Sequence, residues 1–114
     1  MAQSPSTSRD RCSWCGTPVA PGEGYRLLEL PGDRRAAFCR LEHVVPWAIR
    51  GAHWEPAAPR EPPTGIPEAC SECGAALGDV RVVLVHERGE QQIVDAFCSV
   101  DHACAWAKAG GRYR

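Results

Sequence analysis

Asparagine is absent from this 114-residue chain, lysine occurs only as Lys108, and no apolar run approaches the length needed to cross a bilayer. Beside those gaps stand twelve arginines and abundant alanine and proline, a general background preference, so the arginine count is not by itself a sign of nucleic-acid binding. Excess charge is missing as well. Thirteen basic side chains face fourteen acidic ones, for a net charge of −1 and a pI of about 6.4. That balance argues against a protein that holds nucleic acid or an anionic membrane by bulk charge. The opening residues MAQSPSTSRD have neither the charged start nor the apolar stretch of a secretory signal, so a cytosolic protein is expected. In that reducing compartment, cysteines paired as Cys-x-x-Cys point to metal rather than to disulfides.

What the chain does contain is an internal repeat. CSWCG from Cys12 returns as CSECG from Cys70, and AFCRLEHVVPWA returns as AFCSVDHACAWA. Ten aligned positions are identical: Cys12/Cys70, Ser13/Ser71, Cys15/Cys73, Gly16/Gly74, Ala37/Ala96, Phe38/Phe97, Cys39/Cys98, His43/His102, Trp47/Trp106 and Ala48/Ala107. The offset is 58 at the first cysteines and 59 from the third onward, which places the length change in between, where a hairpin loop would tolerate it.

Five of the ten prolines fall in residues 55–69, a density that opposes helix and sheet and favours an extended connector. The chain therefore divides into a disordered tail (1–11), a first zinc-binding module (12–54), a Pro-rich linker (55–69), a second module (70–109) and a frayed C-terminus (110–114). In each module two apolar stretches flank a Gly-containing turn, as in a β-hairpin: YRLLEL, PGD and RRAAF, then VRVVLVH, ERGE and QQIVDAF. A helix follows the third cysteine. Leu41, Val45 and Ile49 recur at helical spacing and predict its buried stripe. Pro46 requires either a kink or a regular segment that begins near Val45, whereas Ala105 predicts a smoother second helix. Trp47 and Trp106 are expected in the core. The apolar VRVVLV suggests a strand buried on both faces, packed against the first module or another chain.

A Cys-x-x-Cys turn can point two sulfurs at one ion, and the glycine after it is free to take a conformation that crowds a side chain. Positions i and i+4 of a helix share a face, so Cys39 with His43, and Cys98 with His102, can complete each set. The ligand sets are thus Cys12, Cys15, Cys39 and His43, and Cys70, Cys73, Cys98 and His102, each suited to one structural zinc ion. Modules of about 45 residues commonly need such a metal to fold. Cys104 is left over. It aligns with Val45, which suits a packed small residue, with replacement of His102 or a redox thiol as alternatives. His53 and His86 have no counterparts and are ordinary loop and strand residues.

CSWCGTPVAPGEGYRLLELPGDRRAAFC resembles the FCS-type fingers of the TRASH and MYM group and a related ribosomal finger. That resemblance covers residues 12–49 and, more faintly, 70–107, and it implies two tandem treble-clef-like fingers in a small metal-stabilised α+β protein. Phe97-Cys98-Ser99 matches the signature, Phe38-Cys39-Arg40 departs at its last position, and histidine stands where the family usually has a fourth cysteine. The resemblance implies non-catalytic work such as protein interaction, nucleic-acid contact or metal sensing. LEHVVPWAIRG also resembles the opening of HNH nucleases, in which His43 would activate water. Absence of Asn, and of the proline from the copied DHACAW, speaks against that alternative.

Two closed sets leave no open position for water, so no catalytic residues are expected. The sequence favours an adaptor that binds a protein partner, with metal or redox sensing by the zinc thiolates as the alternative. Trp14, placed between two ligands where the other copy has Glu72, is the leading interaction residue. Arg9, Arg11, Arg34, Arg35 and Arg40 could join it in a small basic face.

Overall fold

The computed structural model describes residues 10–30, 34–56, 63 and 65–111. In the first repeat, β1 (Asp10–Arg11) and β2 (Pro18–Val19) pair around the Cys-x-x-Cys turn. Strands β3 (Tyr25–Leu30) and β4 (Arg34–Phe38) form the expected hairpin; its PGD turn lies outside the described residues. A 3-10 turn (Leu41–His43), helix α1 (Val44–Ile49) and the short strand β5 (Glu55–Pro56) follow. The second repeat has an Ala69–Ala76 bridge around its turn, then β6 (Arg81–Arg88), β7 (Gln91–Phe97) and helix α2 (Val100–Lys108). Strand β6 runs two residues further than its apolar stretch suggested, so the loop tightens to Gly89 and Glu90.

The two hairpins do not stand apart. Antiparallel pairing of β3 with β6 joins them in one sheet, ordered β5-β4-β3-β6-β7. This accounts for the apolar run in β6: it is a central strand, and Val82, Val83, Leu84 and Val85 are each at most 3% exposed. Across the hairpins Tyr25 faces Phe38 and Val82 faces Phe97, so Leu27 of the first repeat corresponds to Leu84 of the second. Those two leucines are direct partners across the seam. A pseudo-two-fold axis therefore passes between them. Above it α1 packs on α2, and the Cys104 thiol lies 3.9 Å from the carbonyl of Val45, its own counterpart.

One face of the sheet carries both helices. Leu27, Ala36, Phe38, Val82, Leu84 and Phe97 meet Val44, Trp47, Ala103, Trp106 and Ala107 there in a single core. Trp47 is fully enclosed, edge-on to Phe38 at 5.2 Å and to Trp54 at 5.0 Å. On the opposite face Val83, Val85, Arg26 and Arg35 are also buried, with Pro63 beside them. Arg26 ties down the segment before β3 by donating to the carbonyls of Glu23 (2.8 Å) and Ala20 (3.3 Å). That segment extends the seam: Gly89 N–H donates to the Gly22 carbonyl (2.8 Å) and Glu87 N–H to that of Gly24 (2.9 Å). Gly24 has φ +71°, and a Cβ there would sit 2.7 Å from the Phe38 carbonyl oxygen, so only glycine fits.

The helices begin differently in the two repeats. Ser99 caps α2, its hydroxyl accepting the His102 N–H at 3.3 Å, and the helix runs unbroken for nine residues. Arg40 occupies the equivalent place and supplies no cap, so the first repeat starts with the 3-10 turn and only then becomes α-helical. Pro46 thereby falls in the first turn of α1, where its missing N–H costs nothing. The tighter 3-10 winding also alters the helical phase. The expected stripe of Leu41, Val45 and Ile49 is accordingly only partly the buried one: Val44 and Trp47 are enclosed, Leu41 and Val45 pack half-buried against the core, and Ile49 is 72% exposed.

Leu27 tests the seam, since it is fully buried at the pseudo-axis. Leu27→Ala should cost about 2–5 kcal/mol, read as a lowered denaturant midpoint. A loss under about 1 kcal/mol would show that the seam collapses around the gap or contributes little to folding.

Candidate metal centres

Each knuckle is held by backbone bonds the sequence repeats. The N–H of Gly16 donates to the Cys12 carbonyl (2.9 Å) and that of Cys12 to the Thr17 carbonyl (2.8 Å). Gly74 N–H to Cys70 (2.8 Å) and Cys70 N–H to Ala75 (2.8 Å) repeat the pattern. The shared serines lash each knuckle to the strand before the third cysteine, through Ser13 N–H to Ala37 (2.7 Å) and Ser71 N–H to Ala96 (2.8 Å). Strand and helix then bring in the remaining donors.

The result is two four-donor clusters, Cys12, Cys15, Cys39 and His43, and Cys70, Cys73, Cys98 and His102, with the donor atoms of each all within 4.8 Å of one another. In the first, His43 Nδ1 lies 3.5 Å from Cys12 Sγ and 3.4 Å from Cys39 Sγ, and Cys15 and Cys39 sulfurs are 3.6 Å apart. In the second, His102 Nδ1 is 3.5 Å from Cys70 Sγ, and the Cys73 and Cys98 sulfurs are 3.6 Å apart. A tetrahedron around zinc has S···S edges of about 3.8 Å and S···N edges of about 3.6 Å. The observed edges match that figure, and sulfurs 3.6 Å apart are far beyond the roughly 2.05 Å of a disulfide bond. All seven cysteines are free thiols.

Crowding splits the thiols of each cluster electrostatically. Thr17, whose hydroxyl lies 3.2 Å from Cys15 Sγ, pulls Cys15 down to about 6. Burial, followed by the neighbouring Cys15 and Cys12 sulfurs, pushes Cys39 up to about 11. In the second cluster burial opposes ionisation of Cys70, but backbone N–H groups, first among them Cys73, outweigh it and lower the thiol to about 6. The adjacent Cys73 sulfur is the main cause that raises Cys98 to about 11. One thiolate in each set forms readily and then resists the next, a conflict a divalent cation at the centre removes. The donors thus fit zinc, with Cys12 and Cys70 buried and Cys15 and Cys73 exposed. Bound there, the ion would hold knuckle, hairpin and helix together.

Cys104 joins neither cluster; it sits half-buried at the helix seam, its thiol pushed up chiefly by burial. Trp14 is 42% exposed at the tip of the first knuckle. Arg11 and Arg40 are exposed, Arg11 donating to the Gly16 carbonyl at 3.1 Å. Arg34 instead bridges Glu29 at 2.6 Å and lies over Trp54, and Arg35 is buried on the sheet's other face. Arg9 lies outside the described residues. The sequence did not single out Arg50, whose guanidinium lies over the Trp14 ring at 5.9 Å. The only signal in the sequence was its place directly after the helical segment that follows Cys39 and His43. His86 stacks on Tyr25 across the seam at 4.2 Å. No helix of the described residues is long and apolar enough to cross a membrane.

Compared with known proteins, the chain matches no family model, no curated protein and no solved structure. The two Cys3His clusters and the fold that builds them therefore define what can be said of its class: a small α+β protein with two possible zinc sites.

Proposed function

We propose that this protein is a non-catalytic, zinc-stabilised interaction module, in which two treble-clef-like units of the FCS-related kind share one sheet and present a surface to a protein partner. The gathering of each Cys3His set within 4.8 Å, with its closest donor pairs near the edge lengths of a zinc tetrahedron, carries this reading. Three sulfurs and one imidazole complete the coordination of each ion, and neither set keeps the open position that metal-assisted hydrolysis uses. His43, the residue an HNH-like nuclease would need for water activation, has its Nδ1 among the sulfurs.

Native mass spectrometry of the protein isolated from cells tests the reading directly. Two zinc ions per chain and a co-purifying protein are expected. A chain without metal, or one with nuclease activity that His43→Ala abolishes, would contradict it. Exposure of Cys15 and Cys73 supports a second reading, in which the thiolates sense metal or oxidant. Release of zinc under mild peroxide, with both ions retained in reducing buffer, would favour that alternative.

A further inference from the structure

The pseudo-two-fold relation supplies an internal control for every surface residue, because whatever the fold requires in one repeat it should require in the other. Around the second metal cluster the surface is bland: Ala69, Glu72, Ser99, Lys108 and Ala109. Their counterparts around the first are Arg11, Trp14, Arg40, Ile49 and Arg50. Trp14 and Ile49 are two of the three large apolar side chains most exposed among the described residues, at 42% and 72%. The knuckle does not require Trp14, since the other repeat builds the same turn with Glu72, and the altered helical phase that exposes Ile49 does not require an apolar side chain there, where the other repeat has Lys108.

The geometry points to a docking surface at Trp14, Ile49 and Arg50 for a segment of another protein that carries a large apolar side chain flanked by carboxylates. This rests on the interaction reading above and names the partner's chemistry. The ring of Trp14, with Arg50 over it at 5.9 Å, offers an apolar surface beside a cation, and Ile49 adjoins Arg50 in the chain. Tryptophan and arginine are the residue types that most often dominate the energy of protein interfaces. Charge complementarity selects an acidic segment. Arg11 holds its guanidinium at the same knuckle, and Arg40 directly follows Cys39, whose sulfur is 3.6 Å from that of Cys15. Two carboxylates of the same repeat bear on this balance. Glu55 accepts the Ser13 hydroxyl at 3.4 Å, and Glu42 is matched by Asp101 in the other repeat, so it belongs to the common plan.

A nucleic-acid strand fits this surface less well. Phosphate binding depends on many clustered cations, whereas the whole chain carries −1, and each zinc held by three thiolates adds about −1 more. Ile49 offers nothing to a sugar-phosphate backbone.

The test is selection of a random displayed peptide library on the immobilised, zinc-loaded full chain, with Trp14→Glu and Arg50→Ala as variants. Both variants install the residue the second repeat already has at that place, Glu72 and Ala109, so the fold tolerates them. Selected peptides should be enriched in Asp or Glu around Phe, Trp or Leu, and each variant should weaken their binding about tenfold or more. Glu72→Ala should leave it unchanged. Three results would overturn the proposal: no enrichment, peptides that bind both variants as tightly as the parent, or stronger binding of a single-stranded oligonucleotide that is lost steeply with salt. Two zinc ions per chain in every variant keep such a failure distinct from failure of the zinc reading itself.

Discussion

Stripping the metal with a strong chelator is expected to abolish the cooperative thermal transition and most of the circular dichroism signal, and returning zinc should restore both. The magnitudes leave little room for another result. Structural zinc supplies on the order of 10–16 kcal/mol of apparent binding free energy at neutral pH, against about 5–15 kcal/mol for the whole stability of a typical domain. Here a bound metal would also organise the elements that carry the core. Cys39 directly follows β4 and precedes the 3-10 turn that leads into α1, Cys98 directly follows β7 before α2, and the buried Cys12 and Cys70 belong to the core cluster. Without the cation, each cluster would hold three thiols that resist ionising together. Acid should act in the same direction, because the thiolates and imidazole must lose protons to bind metal, so zinc affinity falls as pH is lowered. A transition unchanged by chelation would refute the structural role of both sites.

Cys98→Ser should damage the first repeat as well as its own. Removing one thiolate from the second cluster is expected to lower its zinc affinity by several orders of magnitude and to unfold α2 and the end of β7. The loss cannot stay local, since α2 packs on α1 and β6 pairs along the length of β3. Hydrogen exchange would show it: the amides of Leu27 and Phe38, which lie in the first repeat, should lose most of their protection together with those of Val83 and Val85. Two separable unfolding events, with first-repeat protection intact, would mean that the repeats fold independently. Cys104→Val is the matching control. It installs the residue that the first repeat has there, touches neither donor set, and should keep two zinc ions.

Much of the site was legible before any coordinates. Eight donors could be named because metal ligation imposes spacing that survives in sequence: Cys-x-x-Cys followed by glycine, then cysteine and histidine four apart, twice. Hairpin and helix order followed from apolar patterning between the ligands. The phase of α1 was not legible. Leu41, Val45 and Ile49 have faultless helical spacing, yet the missing cap at Arg40 admits a 3-10 turn that alters the phase and leaves Ile49 exposed. The length difference between repeats was also only partly visible. Relative to the first repeat, the second is one residue shorter between its first cysteine and the strand, and its hairpin is two longer, so only the net change shows in the cysteine offsets.

The basic face drawn from sequence illustrates why side-chain direction needs the fold. Arg34 and Arg35 are neighbours in the chain, and alternation along β4 sends them to opposite sides, one to a salt bridge with Glu29 and one into the buried face beside Pro63. Arg50, ten residues beyond Arg40, reaches Trp14 instead.

Sequence alone determined the two candidate donor sets, the metal class they suit and the twofold repetition of the unit, because local spacing and donor chemistry fix those. How the two units meet was decided only by the tertiary structure. Leu27 meeting Leu84, and Cys104 meeting Val45, follow from matching two hairpin edges and two helix faces that lie far apart in the chain. No local pattern encodes that match. An apolar central strand announces that it will be buried on both faces, but only the pairing of whole edges settles which neighbour buries it.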